Sequence, residues 1–282
     1  MSTVALVTVS YDSSEVLTSF LRSLFESSHI PEEIVVINNF REDPQLAELV
    51  SIDKRIELIQ APHNPGYGGA MNIGVDHLSK QPDWILIANP DVRWHTTAIE
   101  EMLAYGDSHP DVGIIGPKIL EENGDTYPSA RALPSLRIGI GHALFANIWK
   151  NNPWTHAYRQ DRIESTEPRF VGWVSGACML ICKEVYSKLG GFDESYFMYF
   201  EDVDICHRTH PLGFKVAYVP NATITHLGAH STDTRKKAMT HAHHHSAYIY
   251  LAKKYHAWYL WPLRVILRAG LAARAWWGDV RN

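Results

Sequence analysis

The sequence predicts an α/β protein built on a doubly wound, mostly parallel sheet flanked by helices, and three observations carry that expectation. The first 60 residues read strand, helix, strand, helix, strand, the alternation that feeds a parallel sheet. The strand segments, such as V-A-L-V-T-V at Val4–Val9, are continuous apolar runs rather than alternating ones, as strands covered on both faces require. The chain has 282 residues, 45% hydrophobic and 20% charged, enough for one large domain or two small ones with ample core.

Taken in order, Val4–Val9 is the first strand and Ser10–Ser14 a turn with capping residues. From Glu15 to Ser27, Val16, Leu17, Phe20, Leu21, Leu24 and Phe25 fall on one helical stripe. Ile34–Ile37 is a second buried strand ending at Asn38-Asn39, followed by a helix around Gln45–Val50 and a strand at Ile56–Ile59. Sheets of this kind bind ligands beyond the carboxyl ends of their strands. After the third strand comes N-P-G-Y-G-G-A-M-N-I-G, Asn64 to Gly74. Its glycines allow close backbone approach to a ligand, and the helix they open could hold a phosphate at its N-terminus. The G-x-G-G spacing after the third strand is not a dinucleotide fingerprint, which disfavours a nicotinamide oxidoreductase.

Trp84–Ala88 is the next strand and runs into Asn89-Pro90-Asp91, where Asp91 could hold a cation or sit in an ordinary turn. Gly113–Gly116 is another short strand. Residues 121–169 read as a polar, irregular insertion with a helix expected near Ile138–Trp149. Phe170–Cys182 returns to strand, Lys183–Leu189 and Ile205–His210 to helix, and Lys215–Val219 and Ala222–His226 to strand. His226 then reads either as a satisfied core histidine or as a ligand at a strand end.

The chemistry is expected between Gly190 and Asp204, G-G-F-D-E-S-Y-F-M-Y-F-E-D-V-D. Five carboxylates alternate there with aromatic residues. Buried charges need partners or a cation, and aromatic walls suit a cleft in which desolvation makes a carboxylate a better base. A helix N-terminus that favours acids, with the aromatics as core, explains the same pattern.

Three cysteines without C-x-x-C spacing argue against a disulfide framework and suit a reducing compartment. The N-terminus lacks the pattern of a signal peptide, and no run of apolar residues is long enough to span a membrane. The net charge of -5 divides into +5 for residues 246–282 and -10 for the rest, and four of nine tryptophans lie in that basic tail. Such a tail suits an anionic surface as partner, and no nucleic acid is expected. Pro262 should divide it into helices of about Thr240–Tyr259 and Leu263–Trp277, either an interfacial element or a pair packed on the domain. The patch His241–His245 reads as a solvated helix start rather than a metal site, since no carboxylate cluster accompanies it.

Six motifs in order, V-T-V-S-Y-D-S, I-V-V-I-N-N, N-P-G-Y-G-G-A-M-N-I-G, N-P-D, W-V-S-G-A and G-G-F-D-E…E-D-V-D, with the histidine of I-T-H, span about residues 4–232. Together they resemble the inverting family 2 glycosyltransferases of GT-A fold, especially the bacterial rhamnosyltransferase-like branch. The resemblance implies a catalytic domain over 1–232, with a nucleotide-binding half (1–120) and an acceptor and catalytic half (170–232), and a helical extension over 240–282. It implies that Ser10, Tyr11 and Asn38 line the nucleotide base pocket, with Asn64, Gly68, Asn72 and Asn89 near the nucleotide. Asp91 would bind Mg2+ or Mn2+ on the donor diphosphate, with His226 completing the metal site. Asp202 would be the catalytic base, with Trp173, Gly176, Glu201 and Asp204 on the acceptor side. Asn38 stands where many relatives carry an acid, and the metal motif has one carboxylate, so donor phosphates would complete it.

The expected activity is transfer of a sugar, L-rhamnose, from a dTDP- or UDP-linked donor to a saccharide acceptor. That acceptor is expected to be polyprenyl-diphosphate-linked, in cell-wall or surface polysaccharide synthesis at the cytoplasmic face of the membrane. A non-catalytic nucleotide-sugar-binding or membrane-bound scaffold of the same fold is the alternative.

Overall fold

The computed structural model describes residues 2–42, 44–136, 166–228 and 233–281, with backbone alone for 233–238, 273 and 275–281. The helix expected near Ile138–Trp149 lies outside the described residues. Strands β1 (Val4–Ser10), β2 (Glu33–Asn38), β3 (Ile56–Gln60) and β4 (Trp84–Ala88) alternate with helices α1 (Ser14–Phe25), α2 (Pro44–Val50) and α3 (Gly66–Asp76). Beyond them come β5 (Val92–Trp94), α4 (Ala98–Ser108), β6 (Val112–Leu120), β7 (Thr126–Tyr127) and β8 (Ala130–Arg131). The second half holds β9 (Arg169–Val171), β10 (Trp173–Val174), β11 (Cys178–Cys182), α5 (Lys183–Leu189), α6 (Glu201–Thr209) and β12 (Lys215–His226). Helices α7 (Asp233–Lys254) and α8 (Trp261–Arg281) form the tail.

The main sheet runs β3-β2-β1-β4-β11-β6-β12-β5. Its first four strands are parallel, β11 is antiparallel to both β4 and β6, and β12 is parallel to β6. The chain leaves β1 toward β2 and β3, then returns to the other side of β1 with β4. That reversal opens a crevice at the carboxyl ends of β1 and β4, where such sheets bind ligands. The continuous apolar runs are explained by burial on two faces. Along β1, Val4 and Leu6 enter one core layer with Leu17, Phe20 and Leu24 of α1, while Ala5, Val7 and Val9 enter the other with Met71 and Val75 of α3.

Four local expectations are corrected. Ser13 precedes α1 without capping it; its hydroxyl meets Ser10 Oγ at 2.9 Å and accepts the Tyr11 N–H at 3.2 Å, so it braces the turn instead. Phe170–Cys182 is three strands, because each part has a different neighbour: β9 pairs β12, β10 pairs β8, and β11 inserts between β4 and β6. Lys215–His226 is one strand with an irregularity between Val219 and Thr223, at Pro220, which has no N–H for the ladder. In the tail Pro262 lies in the first turn of α8, where its missing N–H costs nothing. The break falls earlier, at a 3-10 turn over Trp258–Leu260, and His241–His245 is interior to α7 rather than at its start.

Candidate functional site

The carboxyl ends of β1 and β2 build one wall of the crevice. Ser10 is buried at the end of β1, and the exposed ring of Tyr11 lies 4.8 Å from that of Phe40. Asn38 ends β2; its amide donates to Arg41 O at 3.0 Å and Gln60 Oε1 at 2.8 Å, and its oxygen accepts the Phe40 N–H at 3.2 Å. Asn38 thereby fixes the turn on which Tyr11 and Phe40 form an aromatic step. Beside it the Asn39 amide donates to Asn64 Oδ1 at 2.8 Å, and Asn64 Oδ1 also accepts the Gly66 N–H at 3.0 Å.

The glycines of α3 approach the chain itself. Gly66 has φ +82°, and a Cβ there would lie 2.1 Å from Phe197 O. Phe197 O also accepts the Tyr67 N–H at 2.9 Å, so one orphan donor of the helix start is already satisfied. A Cβ on Gly68 would lie 2.9 Å from Phe192 Cβ. Asn72 is likewise spent: its oxygen accepts from Phe192 N at 2.8 Å and Tyr186 Oη at 2.7 Å, and its nitrogen donates to Phe192 O at 2.9 Å and Glu194 Oε1 at 3.2 Å. Helix α3 is therefore a bed for the acidic-aromatic stretch.

Asp91 and His226 meet although a chain of over a hundred residues separates them. The cause is antiparallel pairing of β5 with β12, which sets His226 opposite Val92, while Leu227 N–H donates to Asp91 O at 3.1 Å. His226 Nε2 lies 3.1 Å from Asp91 Oδ1 and 3.3 Å from Asn89 Nδ2. Asn89 Nδ2 has only hydrogens to offer, so it suits an Nε2 that carries a lone pair. Asp91 Oδ1 is buried and makes no hydrogen bond. Two acceptors that converge in this way suit a cation between them. Among the described residues no group of three or more His, Cys, Asp or Glu surrounds such a position, so these two would need ligands from a bound substrate or water. A cleft of about 580 Å³ opens beside His226, lined by Glu121, Glu122 and Tyr127 among others.

The first turn of α6 carries Glu201, Asp202 and Asp204. The expected helix N-terminus is present, with these three acids in its first turn. Asp202 is partly buried and receives two backbone N–H groups, from Gly176 to Oδ2 at 3.0 Å and from Val203 to Oδ1 at 2.8 Å. Burial raises its pKa, against the lowering effect of those bonds and of Arg131. Glu201 is more deeply buried, its Oε2 has no partner, and burial followed by the charge of Asp202 raises its pKa strongly. The two backbone N–H groups favour the charged form of Asp202, and the unpartnered, buried Oε2 favours the protonated form of Glu201.

Gly176 belongs to this arrangement because its N–H orients Asp202, and a Cβ there would lie 3.2 Å from the Asp202 Cβ. Trp173 is held by a bond from Nε1 to Ala132 O at 3.1 Å. Asp204, expected on the acceptor side, has a buried carboxylate that pairs with Arg208 at 2.6 Å and accepts from Tyr196 Oη at 3.4 Å.

Sequence reasoning missed Tyr67, whose hydroxyl donates to Gly176 O at 2.7 Å. Burial, then the charges of Glu201 and Asp202, raise its pKa, so it stays a neutral donor beside the acids. It also missed the turn before α6, where Tyr199 (φ 67°) and Phe200 (φ 68°) are both left-handed. Such residues cost on the order of 1–3 kcal/mol each and cluster at functional sites.

The family description "Glycosyltransferase like family 2" matches residues 2–242. N-acetylglucosaminyl-diphospho-decaprenol L-rhamnosyltransferase of Mycobacterium tuberculosis is 39% identical over 278 residues, 95% of this chain and 90% of that protein. Rhamnosyltransferase WbbL of Escherichia coli is 34% identical over 67% of this chain and 71% of its own length. Among solved structures, a mannosyltransferase of Pyrobaculum calidifontis in complex with GDP-Man and Mn2+ superposes with TM-score 0.60 at 12% identity, over 97% of this chain and 75% of that one. GalNAc-T7 with UDP, GalNAc and Mn2+ gives 0.61 at 17% identity, and this chain spans 81% of itself and 44% of that chain in the match. The fold is that of these transferases, and the chain belongs to glycosyltransferase family 2.

Proposed function

We propose that this protein transfers L-rhamnose from a nucleoside diphosphate donor to a hydroxyl of N-acetylglucosamine carried on a polyprenyl diphosphate, with inversion. The observation that carries the substrate assignment is the 39% identity to the mycobacterial enzyme over 95% of the chain. A Shigella flexneri relative, dTDP-rhamnosyl transferase RfbF, is 25% identical over 68% of the chain and favours a dTDP-linked donor.

The chemistry follows from the acidic turn. Asp202 takes the proton of the acceptor hydroxyl as its oxygen bonds to the anomeric carbon. The bond from that carbon to the diphosphate breaks on the opposite face, and the nucleoside diphosphate leaves with the electron pair. Attack from one face and departure from the other invert the centre. A positioned base of this kind is worth about 10²–10⁴-fold. Tyr11 and Phe40 offer the donor base a stacking step. Asp91 and His226 would hold Mg2+ or Mn2+, which supplies charge neutralisation to the leaving diphosphate when bound.

No helix of the described residues is long and apolar enough to cross a membrane. The second half of the tail supports a peripheral membrane contact: Trp258 is 82% exposed, and Tyr259, Trp261, Val265 and Ile266 are all more than half exposed. Aromatic and apolar side chains beside arginines suit the headgroup layer of an anionic bilayer.

The test is a donor and acceptor matrix: dTDP-rhamnose and other nucleotide sugars, each with a short-chain N-acetylglucosaminyl-diphospho-polyprenol and with Mg2+ or Mn2+. Rhamnosylated lipid is the expected product. Transfer of another sugar alone, or donor hydrolysis without transfer, would overturn the assignment. Replacing Trp258 and Ile266 by serine should weaken co-sedimentation with anionic vesicles; unchanged binding would remove the membrane contact.

A further inference from the structure

The turn Met198–Phe200 aims the catalytic helix. Phe200 O accepts the Asp204 N–H at 2.8 Å, the first bond of α6, so the orientation of Phe200 sets where Glu201 and Asp202 point. Two consecutive left-handed aromatic residues do not hold such a turn by themselves, because L side chains disfavour that conformation. Something outside the turn must fix it.

The tail helix α7 meets it at every residue. Ser246, 2% exposed, donates from Oγ to Met198 O at 2.7 Å. The His243 ring lies 5.5 Å from Tyr199 and 5.4 Å from Phe200. Tyr250, one turn beyond Ser246, places its ring 5.7 Å from Phe200 and joins Tyr196 and Val203 in a small core. Farther along, Lys253 pairs with Asp193 and donates to Ser195 Oγ at 2.7 Å. The spacing 243, 246, 250, 253 is one face of a helix, and that whole face lies on the acidic-aromatic stretch. The contacts are specific for this segment, since Ser246 is a buried hydroxyl bonded to a carbonyl that no strand or helix pairs.

We propose that α7 is a clamp on the catalytic turn, with Ser246 as its positioning residue. Ser246 acts through Met198 O on Phe200, and through Phe200 on Asp202. This rests on the reading of Asp202 as the base. The tail therefore has two jobs divided along its length: α7 completes the catalytic site, and α8 supplies the exposed face. A chain cut at Thr240 loses the clamp as well as the surface, so truncation cannot separate the two roles, whereas point variants can.

The experiment compares wild type, Ser246→Ala and Ser246→Thr in the full chain by transfer kinetics and by hydrogen exchange. In Ser246→Ala, amides of residues 198–204 should exchange about 10-fold faster while those of β1 and β4 stay unchanged, as for a local opening. Turnover should fall by about 10-fold or more with donor KM within about 2-fold, since a displacement of about 1 Å at the reacting groups can cost 10²-fold. Ser246→Thr, which keeps the hydroxyl, should restore both. Unchanged exchange at 198–204, exchange that rises equally throughout the sheet, or unaltered turnover would each overturn the clamp. Wild type that transfers no sugar would instead sink the functional reading, and the exchange comparison would still decide whether α7 holds the turn.

Discussion

Gly66→Ala is the most informative change outside the reacting groups, because the structure separates its two costs. Gly66 has φ +82°, and the new Cβ would lie 2.1 Å from Phe197 O, 2.7 Å from Phe197 C and 2.8 Å from Phe197 Cα. These are backbone atoms, so no rotamer change relieves the contact; the loop carrying Phe197 must move. Gly190 provides the control, with φ +70° and nothing within 4 Å of an added methyl. Gly190→Ala should lose only the conformational cost of a left-handed L residue, about 1–2 kcal/mol. Gly66→Ala adds an overpacking cost of about 1–3 kcal/mol, for a total of about 2–5 kcal/mol. With about 2 °C of Tm per kcal/mol in a chain of this size, thermal melts should fall by about 2–4 °C and 4–10 °C respectively. Displaced Phe197 lies next to Met198–Phe200, so Gly66→Ala should lose turnover as well, and Gly190→Ala should not. Equal losses in the two variants would show that the approach of α3 to the acidic stretch is not as tight as the structure has it.

Three further outcomes follow from the site. His226→Ala should raise the Mg2+ or Mn2+ concentration for half-maximal activity by about 10-fold or more, read from metal titrations with nucleotide present; an unchanged titration would take His226 out of the metal site. Glu201→Gln should stabilise the protein relative to wild type as pH rises from about 4.5, the ordinary value for glutamate. The wild-type carboxyl, its folded pKa raised, binds its proton more tightly folded than unfolded, so stability is lost as pH climbs through that window; parallel denaturation curves across pH would contradict the burial of Glu201. Tyr250→Phe should be neutral or slightly stabilising in urea melts, because its buried hydroxyl has no partner; a loss above about 1 kcal/mol would reveal a bond to that oxygen.

The sheet was legible in the sequence where burial on two faces writes itself as an unbroken apolar run. Trp84–Ala88 and the helix Lys183–Leu189 occur with the expected bounds, the latter ended by left-handed Gly190. The packing of the α3 glycines was not legible for a definite reason: a sequence shows that a Cβ is missing but not what occupies its place, and here that is Phe197 and Phe192. The hydrogen bonds of Asn72 to the loop it braces were hidden in the same way, because Phe192 lies 120 residues along the chain. Asp91 and His226 come together only through strand register, which no local pattern encodes. Tyr67 was hidden because its partner, Gly176, lies far along the chain. The clamp on the catalytic turn was hidden because its contacts come from serine, histidine and lysine, residue types that look like a solvated helix face.

The measurement that bears most directly on the mechanism pairs wild type with Asp202→Asn, supplied with dTDP-rhamnose, the N-acetylglucosaminyl-diphospho lipid and metal. Transfer rate, nucleotide affinity and anomeric configuration of the product are read together. Wild type should form a rhamnosyl linkage of configuration opposite to the donor's. Asp202→Asn should bind nucleotide normally and lose transfer by at least about 10²-fold. Near-normal transfer by Asp202→Asn, or a product that retains the donor's configuration, would contradict the assignment of Asp202 as the base of an inverting displacement.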